Sequence, residues 1–445
     1  MTGFPANLFA GARFAILGLG KNGLPAARAL RAMGAEVALW DDGEAARTAA
    51  AGEGFTLSDL MAGDFAYDAL VLSPGIPHSL PQPHPVAARA IAKNVPILSD
   101  AELLYQAVRK AGSKAHFAGV TGTNGKSTTT ALLAHILTES GVPTAAGGNL
   151  GPASLALPLL PDDGVYVLEM SSYMLERIAT LRFSTAAMLN LSPDHFERHG
   201  NMDRYAAVKR AVFARQTADD TAVVGVDDAR SVAMAESLES QGPMRVVKIS
   251  GIGQATGALA LPGEHNAQNA AAATALARAL GVSDDAIAQG IRTYPGLPHR
   301  QARVGSQDGI IFINDSKATN ADAAARALGC YDRIVWIAGG IAKAGGIAPL
   351  ASFFPRIAHV ELIGQDAPQF AETLAAHNVP FHMAETLDAA VPAAFAKARA
   401  LGAPVVLLSP ATASWDQFSG FEARGDRFAE LVAALRPSTC QGEAA

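Results

Sequence analysis

The chain is poor in cysteine, in aromatic residues and in charge of either sign. Its 445 residues include only two cysteines, Cys330 and Cys440, which argues against a disulfide framework or a cysteine-based metal site and fits a reducing compartment. Aromatic residues make up 6% of the chain and the net charge is −6, so we expect no nucleic acid as a partner. No apolar run approaches the roughly 18 residues of a membrane span, and no basic leader precedes an apolar stretch. We therefore expect no membrane partner and a cytoplasmic location.

Short apolar runs alternate with alanine-rich helical patterns along almost the whole chain. This alternation is typical of α/β proteins with mostly parallel sheets, and the length predicts about three domains. Breaker clusters at 111–114 and 295–298 place the predicted domains at 1–110, 111–300 and 301–445. The predicted strands are 14–17, 37–40, 69–72, 95–98, 117–120, 165–168, 186–191, 221–226, 310–313, 334–337, 360–363 and 405–408.

The most informative segment is a glycine-rich turn between a predicted strand and a predicted helix. Glycines let backbone N–H groups approach phosphates, and the N-terminus of the helix adds partial positive charge. Lys126 would reach the terminal phosphates, and Ser127 or Thr128 would ligate Mg²⁺. The turn lacks the first glycine of the strict phosphate-loop pattern, because Val120 occupies that position. The segment predicts ATP or GTP binding through Gly122, Thr123, Asn124, Gly125, Lys126, Ser127 and Thr128.

A second glycine-rich turn, at 18–23, matches the G-x-G-x-x-G pattern after the first predicted strand. Asp41 and Asp42 follow the next strand, as an acidic group that binds a sugar hydroxyl would. The pattern places a diphosphate at a helix N-terminus, and a UDP-sugar satisfies it as well as NAD does. Two further residues at the same predicted sheet edge are Ser73 and Gly75.

Polar side chains also end the strands of the second block. Glu169 and His195 each follow an apolar run beside the phosphate-binding turn, where both are plausible Mg²⁺ ligands. Lys209 lies on a predicted helix, and on sequence physics alone it is one charge on a solvated face. Asn266 and Asn269 share one face of another helix, where they could cap the helix or hydrogen-bond an adenine edge.

The third block carries several polar segments where its parallel strands end. They comprise 314–320, 339–343, 409–418 and 421–425. Arg300, just past the breaker cluster, could clamp a phosphate bidentately. Together these residues predict one cleft for an anionic substrate.

These motifs together resemble the Mur ligase family over essentially the whole chain. The segment 122–128 is similar to the family's ATP loop, which accounts for the missing glycine. The segments 314–320 and 409–418 resemble those of the D-glutamate-adding member, and the motif of the meso-diaminopimelate-adding relative is absent. The resemblance implies a UDP-binding Rossmann-like domain, a central ATPase and a C-terminal Rossmann-like amino-acid domain. It also implies a monomer that works in cytoplasmic peptidoglycan precursor synthesis.

The implied reaction is an ATP-dependent, ADP-forming ligation. ATP phosphorylates the carboxylate of UDP-N-acetylmuramoyl-L-alanine, and the amine of D-glutamate then attacks the acyl phosphate to give an amide, ADP and phosphate. Two Mg²⁺ ions are implied, since they would neutralise a triphosphate and a carboxylate that otherwise repel each other.

The resemblance also implies roles for individual residues. The catalytic group comprises Lys126, Lys209, His195, Glu169 and Asn149. The metal ligands are Ser127, Glu169, His195 and Lys209, the last as a carbamate. Beyond the loop at 122–128, ATP contacts fall to Asn266, Asn269, Arg300, Asp315 and Lys317. The UDP substrate contacts Gly18, Gly20, Lys21, Asn22, Asp41, Asp42, Ser73, Gly75 and Asn149. The D-glutamate pocket is formed by Thr319, Lys343, Ser414 and Phe421.

Two departures from the family pattern affect the amino-acid pocket. The segment 339–343 lacks the acidic residue that is often found just before this lysine in the family, and Trp415 stands where an aliphatic residue is commoner.

Three other functions are compatible with parts of the sequence. A nicotinamide dehydrogenase would use the turn at 18–23 but would leave the ATP loop without a role. A nucleotide-dependent switch or motor would hydrolyse ATP without a muramoyl substrate. A ligase resembling folylpolyglutamate synthase would share the central domain and add L-glutamate, but it would lack the UDP-binding domain.

Overall fold

Three predominantly parallel sheets contain the strands of the described residues. The computed structural model describes residues 3–343 and 345–435, so Cys440 lies outside the described residues. Contacts divide the described residues into two units, one covering 3–256 with Glu264–Tyr294 and one covering Gly257–Gly263 with 295–343 and 345–435. None of the helices within the described ranges is long and apolar enough to cross a membrane.

The first sheet is short and fully parallel. Its order is β2-β1-β3-β4, and four of the five residues of β1 are buried because helices cover both faces. Its strands are β1 (Arg13–Leu17), β2 (Glu36–Trp40), β3 (Ala69–Leu72) and β4 (Ile97–Leu98). Its helices are α1 (Gly23–Ala32), α2 (Glu44–Gly52), α3 (Pro85–Ala92) and α4 (Asp100–Lys110).

The second sheet has six parallel strands in the order β10-β9-β8-β5-β7-β6. One apolar cluster runs from Phe14 and Ile16 of the first sheet to Phe117 and Tyr166 of the second, which is why both sheets fall in the first unit. Its strands are β5 (His116–Thr121), β6 (Thr144–Gly148), β7 (Val165–Glu169), β8 (Thr185–Met188), β9 (Thr221–Gly225) and β10 (Arg245–Ile249). Its helices are α5 (Lys126–Glu139), α6 (Ser172–Leu175), α7 (Phe196–His199), α8 (Met202–Arg210), α9 (Ala229–Gln241), α10 (Glu264–Ala279) and α11 (Asp284–Thr293).

The third sheet lies in the second unit and has the order β11-β12-β16-β13-β14-β15. Its first strand pairs antiparallel with its neighbour, and the other pairs are parallel. Two apolar clusters cover its two faces. Its strands are β11 (Ala302–Gln307), β12 (Ile310–Asn314), β13 (Ile334–Gly339), β14 (Ile357–Ile363), β15 (Phe381–Glu385) and β16 (Val405–Leu408). Its helices are α12 (Ala321–Leu328), α13 (Ala367–Ala376), α14 (Leu387–Leu401) and α15 (Phe421–Ala434).

The predicted α/β class and all twelve predicted strand positions are confirmed, although some boundaries differ. The predicted strand 186–191 ends at Met188, because Leu189 and Asn190 leave the sheet to line the phosphate loop. Four strands were not predicted: β6, β10, β11 and β15. Three of them carry mainly small or polar residues and all four lie at sheet edges, where one neighbour is missing and the apolar signal is weak.

Candidate active site

The phosphate-binding loop takes the conformation that its glycines allow. Gly125 has a φ of 86° directly before α5, and a Cβ at this position would lie 2.2 Å from Oδ1 of Asn269. No other residue fits this close approach of backbone to side chain. Lys126 begins α5, and its Nζ donates to the carbonyls of Gly122 and Thr123 at 3.0 and 2.8 Å. The loop therefore holds its lysine over its own carbonyls.

Asparagine side chains hydrogen-bond to the phosphate-binding loop and to the helix that follows it. Oδ1 of Asn269 accepts from the Thr129 hydroxyl at 3.3 Å, and Nδ2 of Asn269 donates to Oδ1 of Asn266 at 3.1 Å. Both asparagines are buried inside α10, two and five residues past its first residue, so neither is an N-cap. Asn190 adds a third contact, accepting from the backbone N–H of Asn124 at 2.8 Å.

Glu169 is a buried carboxylate at the carboxyl end of β7. It is 1% exposed, and its Oε1 accepts from Nδ2 of Asn149 at 2.6 Å. Its Oε2 has no hydrogen-bond partner within the described part of the chain. A buried carboxylate oxygen without a donor is unfavourable on its own and fits a hard cation. The residue thus suits the predicted Mg²⁺ site.

Lys209 lies at the same end of the second sheet and is 2% exposed. Its Nζ donates to the carbonyl of Gly122 at 2.8 Å and lies 3.3 Å from the Thr121 hydroxyl. Burial, followed by the charge of Lys126, holds the pKa of Lys209 well below its ordinary value. The interpretation of Lys209 as a solvated charge was therefore wrong. Residue spacing alone did not show that the apolar side of α8 places it beneath the phosphate loop.

His195 stands apart from the buried groups, with 40% of its side chain exposed. It adopts a left-handed φ of 53° just before α7. Its Nδ1 lies 2.9 Å from the Tyr173 hydroxyl, which also donates to Glu197 at 3.3 Å. No three His, Cys, Asp or Glu side chains form a metal cluster anywhere in 3–343 or 345–435. A bound cation would therefore need oxygen atoms of a bound substrate as ligands in addition to protein groups.

The second glycine-rich turn closes against the end of β3. Gly18 has a φ of 87°, and the Ser73 hydroxyl donates to its carbonyl at 2.7 Å. The carboxylate of Asp41 accepts from the backbone N–H groups of Leu19 and Gly43 at 2.6 and 2.7 Å. Asp41 thus fixes the shape of the turn itself.

Neighbouring residues of this turn reach different partners. Asp42 lies 3.0 Å from His84, while Gly20 is exposed at the turn and Gly75 lies on the loop after β3. Two other side chains of the turn contact residues outside the turn.

Lys21 connects the turn to the region of Glu169, and Asn22 connects it to the first residue of α4. Nζ of Lys21 donates to the carbonyl of Asn149 at 2.9 Å, and the side chain of Asn149 reaches Glu169. Nδ2 of Asn22 donates to Asp100 at 3.2 Å, and Asp100 also accepts from the N–H of Ser154 at 2.7 Å. The predicted UDP-substrate and metal residues are thus continuous within the first unit.

The second unit has its own polar edge at the ends of β12 and β16. Asp315 is 7% exposed and accepts from the Ser409 hydroxyl at 2.7 Å and from the N–H of Gln301 at 3.2 Å. Burial raises the pKa of Asp315 to about 7. Nζ of Lys317 lies 3.6 Å from the ring centroid of Phe421. The structure thus brings Lys317 and Phe421 into contact, and Asp315 and Arg300 belong to the same unit.

The predicted D-glutamate residues lie on neighbouring loops of this unit. Ser414 is buried and lines a small slot, whereas Thr319 is half-buried and Lys343 is exposed. The segment before Lys343 pairs with the other loop through an antiparallel bridge between Ile341 and Ala413. Asp366 supplies a carboxylate to this segment, accepting from the N–H of Ala342 at 2.7 Å.

Sequence patterns did not predict two residues that contact the predicted site, Asp100 and Tyr205. Asp100 fixes Asn22 and lies directly after a strand and a capping serine, so the strand-end carboxylate signal that identified Glu169 could have found it. Tyr205 contacts the Thr123 hydroxyl at 3.2 Å. Its position on a helix far along the chain gave no signal.

This chain is similar to known proteins over most of its length. The family model for the Mur ligase middle domain matches residues 120–277. The protein from Paramagnetospirillum magneticum named UDP-N-acetylmuramoylalanine--D-glutamate ligase is 52% identical over 96% of this chain and 98% of its own. The protein of the same name from Caulobacter vibrioides is 46% identical over 97% and 98%.

Solved structures show the same fold at lower identity. UDP-N-acetylmuramate-alanine ligase MurC from Thermotoga maritima has a TM-score of 0.56 and 19% identity, covering 94% of this chain and 98% of its own. MurF from Acinetobacter baumannii has a TM-score of 0.55 and 22% identity, covering 75% and 80%.

Proposed function

This chain belongs to the Mur ligase family, among the UDP-N-acetylmuramoylalanine--D-glutamate ligases, and from that premise we propose that it joins D-glutamate to UDP-N-acetylmuramoyl-L-alanine with ATP. The products are the amide, ADP and phosphate. The reaction serves peptidoglycan precursor synthesis.

One observation carries the proposal beyond the family name. Lys21 of the turn at 18–23 contacts Asn149, and Asn149 contacts Glu169 beside the phosphate loop. A UDP-linked substrate on the turn would extend its far end toward Asn149. A dehydrogenase would not need this continuity with a phosphate loop, and a switch or motor would not need the turn.

The phosphate loop performs the first step. Lys126 exchanges its loop carbonyls for the terminal phosphates of ATP and stabilises the charge on the transferring phosphoryl group. The N-terminus of α5 supplies backbone N–H groups to the same phosphates. Asn149 lies where it can orient the muramoyl-alanine carboxylate for attack. The carboxylate oxygen takes the phosphoryl group, ADP leaves, and an acyl phosphate remains.

Glu169, Lys209, His195 and Ser127 are the residues that would hold Mg²⁺. The buried Oε2 of Glu169 without a donor supports this assignment. A bound Mg²⁺ would reduce the repulsion between the triphosphate and the incoming carboxylate. Lys209, buried and with a lowered pKa, is a neutral amine more readily than a surface lysine is. A neutral amine is the form that reacts with CO₂ to give a carbamate, which would supply oxygen ligands.

The second unit would hold D-glutamate. Ser414, Thr319 and Lys343 offer two hydroxyls and one ammonium to its carboxylates. Its amine then attacks the acyl carbon, the C–O bond to phosphate breaks, and the nitrogen loses a proton as the amide forms.

Phosphate release provides the test. The purified protein, ATP and Mg²⁺ should release phosphate when both UDP-N-acetylmuramoyl-L-alanine and D-glutamate are present. Omission of either should stop steady release, and L-glutamate should not replace D-glutamate. Phosphate release that is equally fast without the muramoyl substrate would contradict the proposal and favour a switch or motor.

A further inference from the structure

Arg177 is a buried arginine two residues after the end of α6, and its side chain contacts the first sheet rather than the second. It is 2% exposed, and its Nη1 donates to the carbonyls of Leu72 and Ser73 at 2.7 and 2.9 Å. Its Nη2 donates to the carbonyl of Ile76. One guanidinium thus ties together the end of β3 and the loop that follows it.

This loop belongs to the predicted UDP-substrate site. The Ser73 hydroxyl bonds the carbonyl of Gly18, and the N–H of Ser73 bonds the carbonyl of Leu17. A Cβ on Gly18 would lie 2.7 Å from Cβ of Ser73. Because the two segments are in close contact, a shift of Ser73 would shift the diphosphate-binding turn.

A second arginine completes the arrangement through His78. Nε of Arg177 and Nη2 of Arg198 lie 3.2 and 3.0 Å from Nδ1 of His78. Since arginine only donates, Nδ1 accepts and the imidazole is neutral. Burial and then the charge of Arg177 agree with this, lowering the pKa of His78 to about 4.

The cluster carries unbalanced positive charge. Arg198 pairs with Glu176 at 2.8 Å, but Arg177 forms no ion pair among residues 3–343 and 345–435. Leaving a buried guanidinium without a carboxylate is costly. An anionic ligand at the neighbouring turn would offset that cost.

We propose that Arg177 is a positioning residue of the UDP-substrate site, holding the loop 72–76 against the turn at 18–23 so that a diphosphate can bind. This role rests on the proposed function and deepens it. Arg177 follows a helix of the second sheet, and in this role it determines the shape of a binding site on the first sheet.

The test is the dissociation constant of UDP-N-acetylmuramoyl-L-alanine, measured by calorimetry on the full chain. For Arg177→Gln we expect it to rise about tenfold, since several charge-assisted hydrogen bonds are lost. The dissociation constant of an unreactive ATP analogue should stay within about twofold, and Arg177→Lys, which keeps the charge with fewer donors, should lie between. In Arg177→Gln, hydrogen exchange should also speed up at the Ile76 amide, which donates to the carbonyl of Ser73.

Arg89→Gln is the matched control. Arg89 donates to the carbonyls of Leu60, Ala62 and Gly63 in another loop of the first sheet, where no substrate contact is predicted. Arg89→Gln should lower thermal stability without changing the dissociation constant of UDP-N-acetylmuramoyl-L-alanine or of the ATP analogue.

Two outcomes would overturn the assignment of Arg177. One is unchanged affinity for the muramoyl substrate in Arg177→Gln, and the other is an equal loss of affinity for both ligands. If wild-type protein binds no UDP-N-acetylmuramoyl-L-alanine, the proposed function fails. If wild type binds and Arg177→Gln binds equally well, only the positioning role fails.

Discussion

Burial determines what each lysine at the phosphate loop can do. Lys126 is half-buried and bonds two loop carbonyls, so it can exchange them for phosphate oxygens. Lys209 is fully enclosed and bonds Gly122 on the same loop. The two residues have the same side chain, but burial lowers the pKa of Lys209 well below its ordinary value.

Lys126→Ala should lower kcat for phosphate release by roughly a hundredfold or more, because the charge on the transferring phosphoryl group loses its nearest cation. Lys114→Ala, at an exposed lysine before β5, should leave kcat unchanged. Near-wild-type turnover by Lys126→Ala would show that the loop does not bind the reacting phosphates.

Activity should depend on CO₂ through Lys209. Protein stripped of CO₂ should lose turnover and recover it with bicarbonate. Lys209→Ala should lower turnover about 10–100-fold, as expected for loss of a group that supports a metal site. Lys209→Arg should not restore turnover, because arginine stays positively charged. The carbamate assignment fails if Lys209→Ala is fully active.

Asp315 should make stability depend on pH. Its folded pKa of about 7 lies above the unfolded value of about 4, so the folded state binds more protons between these values. Stability of the second unit should therefore fall as the pH rises from about 4 to 7. Asp315→Asn should remove this slope and raise the urea midpoint at pH 8. An identical slope in both proteins would contradict the prediction.

Helix α4 shows how one side chain can join two elements. Glu102, in its first turn, is buried and accepts from the N–H groups of Ala179, Thr180 and Leu181 at 2.8 to 3.0 Å. Burial alone would raise the pKa of Glu102, but hydrogen bonds led by the Thr180 hydroxyl outweigh it, so the pKa lies below its ordinary value. The helix is thereby attached to the segment after α6.

Glu102→Gln should destabilise the first unit by about 2–4 kcal/mol, because hydrogen bonds to a charged acceptor are lost. With a lowered folded pKa, the stabilisation by Glu102 is complete above its unfolded pKa and disappears as the pH falls through the folded value. Denaturant unfolding at pH 7 and pH 3 measures both effects. Glu139→Gln, on the exposed end of α5, is the control. A midpoint at pH 7 equal to that of wild type would contradict the prediction.

Sequence patterns predicted the elements better than the contacts between them. Strand ends located Glu169, Asp315 and the glycine turns, because a parallel sheet collects such residues at one edge. The same patterns could not show that Lys209 is buried, since burial depends on which face of α8 packs on the second sheet. Nor could they reveal Arg177, whose partners lie about 100 residues away in sequence.

For the molecule as a whole, one ligand distinguishes the functions that the sequence left open. Titration with UDP-N-acetylmuramoyl-L-alanine should release or absorb heat, and titration with NAD should not. The reason is that the turn at 18–23 continues through Lys21 to Asn149, as a long UDP-linked substrate requires. Saturable binding of NAD at micromolar concentration would overturn the assignment of the turn.

The reach of Glu102 has a consequence for synthesis on the ribosome. Its backbone donors begin 77 residues downstream, a stretch that takes about 4–15 s to translate at typical rates of 5–20 residues per second. During that interval the carboxylate has only solvent and its own helix as partners. The first sheet therefore emerges without its final contacts, and the nascent chain should resist proteolysis at α4 only after residue 181 has left the exit tunnel.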